Sequence, residues 1–404
     1  MRTTNFAQPL AWIDAQRDDM LSTLRRWAEI NSGTYNHDGL AAMETELSAA
    51  FAPLGGEERR LEIEPAESID ASGNVARAPL GRALRFSKRP DAPIRVLLAI
   101  HYDTVFPSES PFRRTDLTDA DTLRGPGVVD AKGGIVVMLT ALAALERSDV
   151  ANRVGWEVLL NPDEEIGSPG SAPLLADAAR RNHLGLVFEP ALPDGSLVGA
   201  RKGSGSFTAV VRGRSAHAGR DFDKGRNAIV ALAELIVKLA SPTGPGVIVN
   251  CGKVSGGGAT NIVPDLAIGR FNVRADSSDD QKVAEQVFVS AAAEIGRRDG
   301  ITMTLHGGFT SPPKPLDARS ARLMDAILST GRELGLSLSH QPSGGTCDGN
   351  KLAAAGLPVV DSLGPVGGEL HSDREYVRIS SLAERAKVTG LLLMRLAAGQ
   401  VSVP

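Results

Sequence analysis

Residues 94–103 read Ile-Arg-Val-Leu-Leu-Ala-Ile-His-Tyr-Asp. The apolar run is too short for a buried helix and suits a strand covered on both faces, as in a parallel sheet. It leads directly into His101 and Asp103. The arrangement recurs twice: Trp156–Leu160 leads into Asp163, Glu164 and Glu165, and Gly185–Phe188 leads into Glu189. Open α/β sheets carry their sites beyond the carboxyl ends of their strands. One strand ending in a charge is an ordinary solvated loop; three ending in potential metal ligands form a pattern.

Working outward, Pro9–Ile30 and Asp38–Phe51 carry apolar residues at helical spacing, Ile135–Leu145 is long enough for a buried helix, Leu357–Leu363 is a further apolar strand and Ser380–Leu396 a closing helix. Strands alternating with helices predict an α/β domain with a mostly parallel sheet and helices on both faces. The middle of the chain differs. Strand-like Ser206–Gly213, helical Arg226–Leu239, strand-like Val247–Val254 and Asp265–Ala275, helical Ser278–Arg297 and strand-like Ile301–Leu305 follow in that order. This β-α-β-β-α-β succession is the ferredoxin-like arrangement. It predicts an inserted domain, residues 204–314, bounded by KGSGS at 202–206 and SPPKP at 311–315, with residues 1–203 and 315–404 forming the other domain. A chain of 404 residues exceeds what one core usually supports.

Lys and Arg number 44 against 48 Asp and Glu, a net charge of −4 with no basic footprint for nucleic acid or an anionic membrane. No apolar run approaches the roughly 18 residues of a membrane-spanning helix. The first twenty residues hold Asp14, Asp18 and Asp19 and no apolar core, unlike a secretory signal. Cys251 and Cys347 provide no disulfide framework. Together these favour the cytoplasm.

Residues two apart in an extended segment share a face, so His101 and Asp103 lie together, and a metal-binding histidine usually donates its other N–H to a carboxylate. Asp130, in Gly125-Pro-Gly-Val-Val-Asp-Ala-Lys-Gly-Gly134, precedes the helix led by Ile135; it is either an N-cap or part of a tight loop entering a site. Glu164 and Glu165 are adjacent, and in extended conformation point apart, so that one can bind metal while the other faces water. His371, in Gly367-Gly-Glu-Leu-His-Ser-Asp373, can supply a second imidazole. His37, His183, His306 and His340 have no comparable setting. Two imidazoles and three carboxylates match the ligand set of a two-zinc centre, in which a shared carboxylate helps hold the metals together.

As an ordered set, H-x-D (His101, Asp103), G-x-x-D-x-K-G-G (Asp130 to Gly134), D-E-E-x-G (Asp163 to Gly167), S-x-H-A-G (Ser215 to Gly219) and the late H-S-D (His371) resemble the zinc exopeptidase/deacylase family that contains carboxypeptidase G, acetylornithine deacetylase, succinyl-diaminopimelate desuccinylase and aminoacylase. The resemblance spans nearly the whole chain. It implies a bridging role for Asp130, a first zinc held with His101 and Glu189, a second with Glu165 and His371, Glu164 as general base and Asp103 as the partner of His101. It also implies a lid and dimerisation role for the inserted domain, a homodimer, and a role for His217 in completing the opposite subunit's site. Glutamate at position 189, ARKG at 200–203, ATNIVP at 259–264 and HSDREYV at 371–377 look most like carboxypeptidase G. GGTCDG at 344–349 departs from the shorter turn of similar enzymes and leaves Thr346 and Asp348 without a role.

The substrate expected is a small molecule, a short peptide or N-acyl amino acid with a free carboxylate. In Asp265–Ala275, Ala267, Gly269, Phe271, Val273 and Ala275 suit packing against helices, and Ile268, Arg270, Asn272 and Arg274 form an open face. An arginine there can clamp a carboxylate bidentately. Arg274 also matches the family's carboxylate-binding arginine, and Asn261 and Lys202 match further contacts. Release of a C-terminal amino acid such as glutamate is the leading expectation, N-acyl amino acid deacylation the alternative, and a two-domain metal- or ligand-binding protein the non-enzyme alternative. The chain has no G-x-S-x-G nucleophile elbow.

Overall fold

The computed structural model describes residues 6–240 and 244–404. Its central sheet has six strands in the order Glu57–Leu61, Ala83–Lys88, Val154–Asn161, Ile94–His101, Leu184–Val187 and Val359–Val360. The last four run parallel, and Ala83–Lys88 pairs antiparallel with both its neighbours. Side chains alternate across a strand. In Ile94–His101 this sends Val96, Leu98 and Ile100 to one face and Leu97 and Ala99 to the other, all at most 1% exposed. The first set joins a core with helices Lys132–Glu146 and Ile379–Ala397. The second packs against Ala172–Arg181 and Asp348–Ala354. Each buried aliphatic side chain contributes about 1.5–3 kcal/mol, so a strand covered on both faces is held from both.

Two expected elements take a different form. The helical stretch from residue 9 to 30 divides at Gln16 into Ala7–Ala15 and Arg17–Ala28. The strand expected over 357–363 is reduced to Val359–Val360, followed by an isolated antiparallel bridge from Asp361 to Val198. No helix among the described residues is long and apolar enough to cross a membrane.

A second sheet of four antiparallel strands has the order Val247–Gly256, Leu266–Ala275, Gly203–Arg212, Thr302–Ser311. Helices Ala228–Ala240 and Ser278–Gly296 pack on one face around Phe207, Leu232, Leu235, Phe271, Val273 and Phe288. The chain passes between the two sheets twice, and the two passages are tied together. Arg201 and Lys314 exchange backbone N–H···O bonds of 2.9 and 3.0 Å. Both side chains also converge on Asp361: the Arg201 Nη2 lies 2.8 Å from Oδ1 and the Lys314 Nζ 3.0 Å from Oδ2. Burial alone would raise the Asp361 carboxyl, but the two cations outweigh it and hold the group well below the usual carboxylate range.

Removing one partner of a buried ion pair strands the other charge. Asp361→Ala is therefore expected to lower the unfolding free energy by about 3–5 kcal/mol, read as a reduced urea midpoint at pH 7. Because the folded-state pKa is depressed, the carboxylate's contribution is present at neutral pH. It is lost as pH falls below the unfolded value of about 3.9, so the gap to wild type should narrow in acid. An unchanged midpoint at pH 7 would show that the two passages are held by other contacts.

Candidate metal centre

His101 is the last residue of its strand, and both it and Asp103 are buried. The His101 Nδ1 lies 3.0 Å from the Asp103 carbonyl oxygen and 3.3 Å from its Oδ1. Its Nε2 lies 3.1 Å from the Asp130 Oδ1 and 4.0 Å from the Glu189 Oε1. The other Asp130 oxygen, Oδ2, lies 3.4 Å from the His371 Nε2, which is also 3.4 Å from the Glu165 Oε2. The two oxygens of one carboxylate thus face two imidazoles on opposite sides. Ligand atoms of His101, Asp130 and Glu165 all lie within 4.8 Å of one another.

Asp130 is not the N-cap of the following helix. That position belongs to Ala131, which makes no side-chain cap bond, so the Asp130 carboxylate is free for the cleft. The helix approaches the site closely because Gly133 and Gly134 in its first turn carry no side chains: a Cβ at Gly134 would stand 2.1 Å from the Phe188 carbonyl oxygen, next to Glu189.

Glu164 and Glu165 lie in a 3-10 turn, Glu164–Ile166, rather than in the extended conformation expected. A carboxylate below organises that turn. The backbone N–H of Glu164 donates to the Asp103 Oδ1 at 3.2 Å and that of Glu165 to Oδ2 at 3.3 Å. The Thr34 hydroxyl donates to the same Oδ2 at 2.7 Å. Asp103 therefore fixes the imidazole of His101 and the turn carrying both glutamates.

The electrostatics follow from crowding. Burial, reinforced by neighbouring carboxylates, pushes Glu165 up to about 7 and Glu189 up to about 8, and raises Glu164 well above its ordinary range. Asp130 moves the other way because His101 and His371 outweigh its burial. Hydrogen bonds to Asp130 and Glu165 raise His371 to about 10. The Glu189 Oε1 is buried with no hydrogen-bond partner. Buried carboxylates short of positive charge, one orphaned oxygen and two imidazoles suit a divalent cation taking nitrogen and oxygen ligands. Neither cysteine is poised as a nucleophile, since burial raises both thiols.

These groups open into a cleft of about 600 Å³ that runs between the two sheets. Asp130, Glu164, Glu165, Glu189 and His371 line one part, and Arg274, Ser204, Ser206 and Thr310 from the second sheet line another. The Arg274 Nε donates to the Asn272 Oδ1 at 2.9 Å, while its Nη1 is buried without a partner. Arg270, on the same strand, is committed elsewhere, donating to the Ile69 carbonyl at 2.7 Å.

The remaining expected contacts lie outside this lining. Lys202 is paired with Asp276 at 2.5 Å. His217 and Asn261 are exposed and neighbour one another through the Ala218 N–H donating to the Asn261 carbonyl, 2.9 Å. Thr346 lines the cleft, whereas Asp348 is buried behind it, accepting from Asn161 at 2.7 Å and Lys351 at 3.1 Å. Sequence reasoning missed Thr34 and gave no role to Glu375, although Glu375 lies in the HSDREYV stretch at 371–377. Both bond residues far away in the chain.

Comparison with known proteins identifies the family. Carboxypeptidase G2 of Pseudomonas sp. (strain RS-16) is 28% identical over 392 residues, covering 94% of this chain and 90% of that protein. A succinyl-diaminopimelate desuccinylase of Pseudomonas syringae pv. syringae is 28% identical over 286 residues, 66% of this chain and 72% of that one. In fold, the chain superposes on an M20 family metallo-carboxypeptidase of Sulfolobus solfataricus with a TM-score of 0.74 at 16% identity, covering 93% and 98% of the two chains. The model of peptidase family M20/M25/M40 matches residues 97–395, from the strand that ends in His101 to the closing helix. The chain belongs to peptidase family M20/M25/M40 and is a hydrolase acting on amide bonds.

Proposed function

We propose that the protein is a two-zinc hydrolase that cleaves an amide or peptide bond next to a free carboxylate, releasing a C-terminal amino acid such as glutamate. The observation that carries this reading is the Asp130 carboxylate with one imidazole on each oxygen, in the same cleft as an arginine whose Nη1 has no partner. Asp130 would be shared between the metals, with His101 and Glu189 completing one site and Glu165 and His371 the other. When bound, zinc supplies Lewis acidity to the scissile carbonyl and lowers the pKa of water.

The protein's own groups carry the proton and hold the substrate. Arg274 takes the substrate's free carboxylate, anchoring the leaving amino acid in the cleft. Glu164, beside the ligands and not among them, accepts the proton of the attacking water and returns it to the departing amine. Asp103 keeps His101 oriented.

Residues 204–314 form, in this reading, a ferredoxin-like lid and dimerisation domain inserted in a catalytic domain of residues 1–203 and 315–404. Support for the dimer comes from the edge strand Val247–Gly256, where Ile248 and Val254 are exposed, and from the exposed Ile229, Val230 and Val237 of helix Ala228–Ala240. An unpaired edge beside an apolar surface invites a second copy. The partner subunit's His217 would then reach the oxyanion of the first subunit's site.

Three outcomes follow. Glu164→Gln should keep about two zinc ions per chain, the number the ligand set suits, and lose roughly 10²–10⁴ in kcat; a variant that drops a metal, or turns over normally, contradicts the assignment. Arg274→Ala should lose roughly 10- to 150-fold in kcat/KM on N-acyl or peptidyl glutamate. It should do so while matching wild type on the α-amide of the same substrate; an equal loss on both would remove Arg274 as the carboxylate anchor. Mixing inactive Glu164→Gln with inactive His217→Ala should recover up to about a quarter of wild-type activity per site, because each randomly formed heterodimer holds one intact site in two. Proven subunit exchange without recovery would confine His217 to its own chain.

A further inference from the structure

The loop that presents Asp130 is held by a residue outside the proposed ligand set and outside the substrate contacts. Glu375 is 1% exposed. Its Oε1 accepts the backbone N–H groups of Val129 at 2.9 Å and Asp130 at 3.0 Å, and its Oε2 accepts that of Gly127 at 2.9 Å. Its own carbonyl accepts a fourth, from Gly125, at 3.1 Å. One residue thus gathers four N–H groups of a six-residue loop that has no regular ladder to satisfy them.

The position of Glu375 gives that clamp a consequence. It lies four residues after His371 and directly before strand Tyr376–Arg378. That strand pairs with Gly367–Gly368 on one side and with Thr122–Arg124, which leads into the Asp130 loop, on the other. The segment that carries the His371 imidazole therefore also grips the loop that carries the Asp130 carboxylate.

We propose that Glu375 is a positioning residue of the metal site, fixing the Asp130 carboxylate relative to the His371 imidazole by binding the backbone on which Asp130 stands. The proposal rests on the metal-site reading above. Only glutamate meets the geometry. Glutamine would turn an NH₂ group toward an N–H, and aspartate falls one methylene short of the loop. Buried N–H groups left without an acceptor would re-aim the Asp130 carboxylate.

The test is metal affinity rather than turnover. Wild type, Glu375→Gln and Glu375→Asp are stripped with chelator and titrated with Zn²⁺ against a chromophoric competitor; Co²⁺-loaded samples are compared by visible absorption. Glu146→Gln serves as a control, because Glu146 also accepts partly buried bonds, from Lys88 and Trp156, outside the lining of the cleft. Both Glu375 variants are expected to bind Zn²⁺ about 10- to 100-fold more weakly with an altered Co²⁺ spectrum, while Glu146→Gln keeps wild-type affinity and spectrum at whatever cost in stability. Wild-type affinity and spectrum in the Glu375 variants would overturn the proposal, and so would an equal loss in Glu146→Gln, which would mark the effect as general destabilisation. If Glu375→Gln does not fold, Glu375→Asp decides alone. Wild-type protein that binds no Zn²⁺ would overturn the metal-site reading and the proposal with it, which separates that failure from a failure of Glu375 alone.

Discussion

Asp130, Glu164, Glu165 and Glu189 share one cleft with their carboxyl groups mostly withdrawn from water, and their mutual repulsion is the constraint around which the molecule is built. Isolated buried carboxylates are costly and tend to take up protons instead. Here burial drives three of the four upward, and only Asp130, with an imidazole on each oxygen, is held down. An arrangement so short of positive charge is unfavourable for folding and well suited to divalent cations. The site and its ligand chemistry are two aspects of one electrostatic imbalance.

The scaffold that tolerates this imbalance is a sheet covered on both faces. Strands Ile94–His101, Val154–Asn161 and Leu184–Val187 are parallel neighbours, so their carboxyl ends bring His101, the Glu164–Ile166 turn and Glu189 to one edge. Beneath that edge, polar partners hold the charged groups still. Asp103 binds two backbone N–H groups and the Thr34 hydroxyl, and Glu375 binds three N–H groups of the Asp130 loop. In each case backbone N–H groups supply much of what the buried carboxylate accepts, with the Thr34 hydroxyl and the His101 imidazole beside Asp103. That leaves the positive charge demanded by the cleft to come from what binds there.

The second sheet meets this edge across the cleft and contributes Arg274, Ser204 and Ser206. It is joined through two passages of chain, bonded to one another at Arg201 and Lys314 and both fixed to Asp361, and its Arg212 and Arg270 donate to the carbonyls of Ser72, Gly73 and Ile69. These contacts hold the sheet that carries Arg274 against the cleft lined by the carboxylates.

The sequence by itself determined the layers and most of the charged groups at the edge. Runs such as Ile94–Ile100 state in a few residues that a strand is buried on both faces, and the residues that follow them state what lies at its end. Periodicity likewise distinguished the faces of Leu266–Ala275, except at Ile268, which alternation puts on the open face and which is buried. Elements without an apolar signature escaped, as did Glu57–Leu61, whose EERRL is almost wholly exposed and pairs only as an outer strand. Only the tertiary structure decided which of two similar arginines is free, since Arg270 and Arg274 share a strand and a face and differ in having the Ile69 carbonyl within reach. It alone put Lys202 on Asp276, and His217 and Asn261 outside the lining of their own cleft. It alone joined Glu375 to Gly127 across 248 positions and Thr34 to Asp103 across 69. The reason is physical. Burial and periodicity are set by neighbours a few residues away, whereas the partner of a buried carboxylate is whatever donor the folded chain brings within 3 Å, and nothing local in the sequence records it.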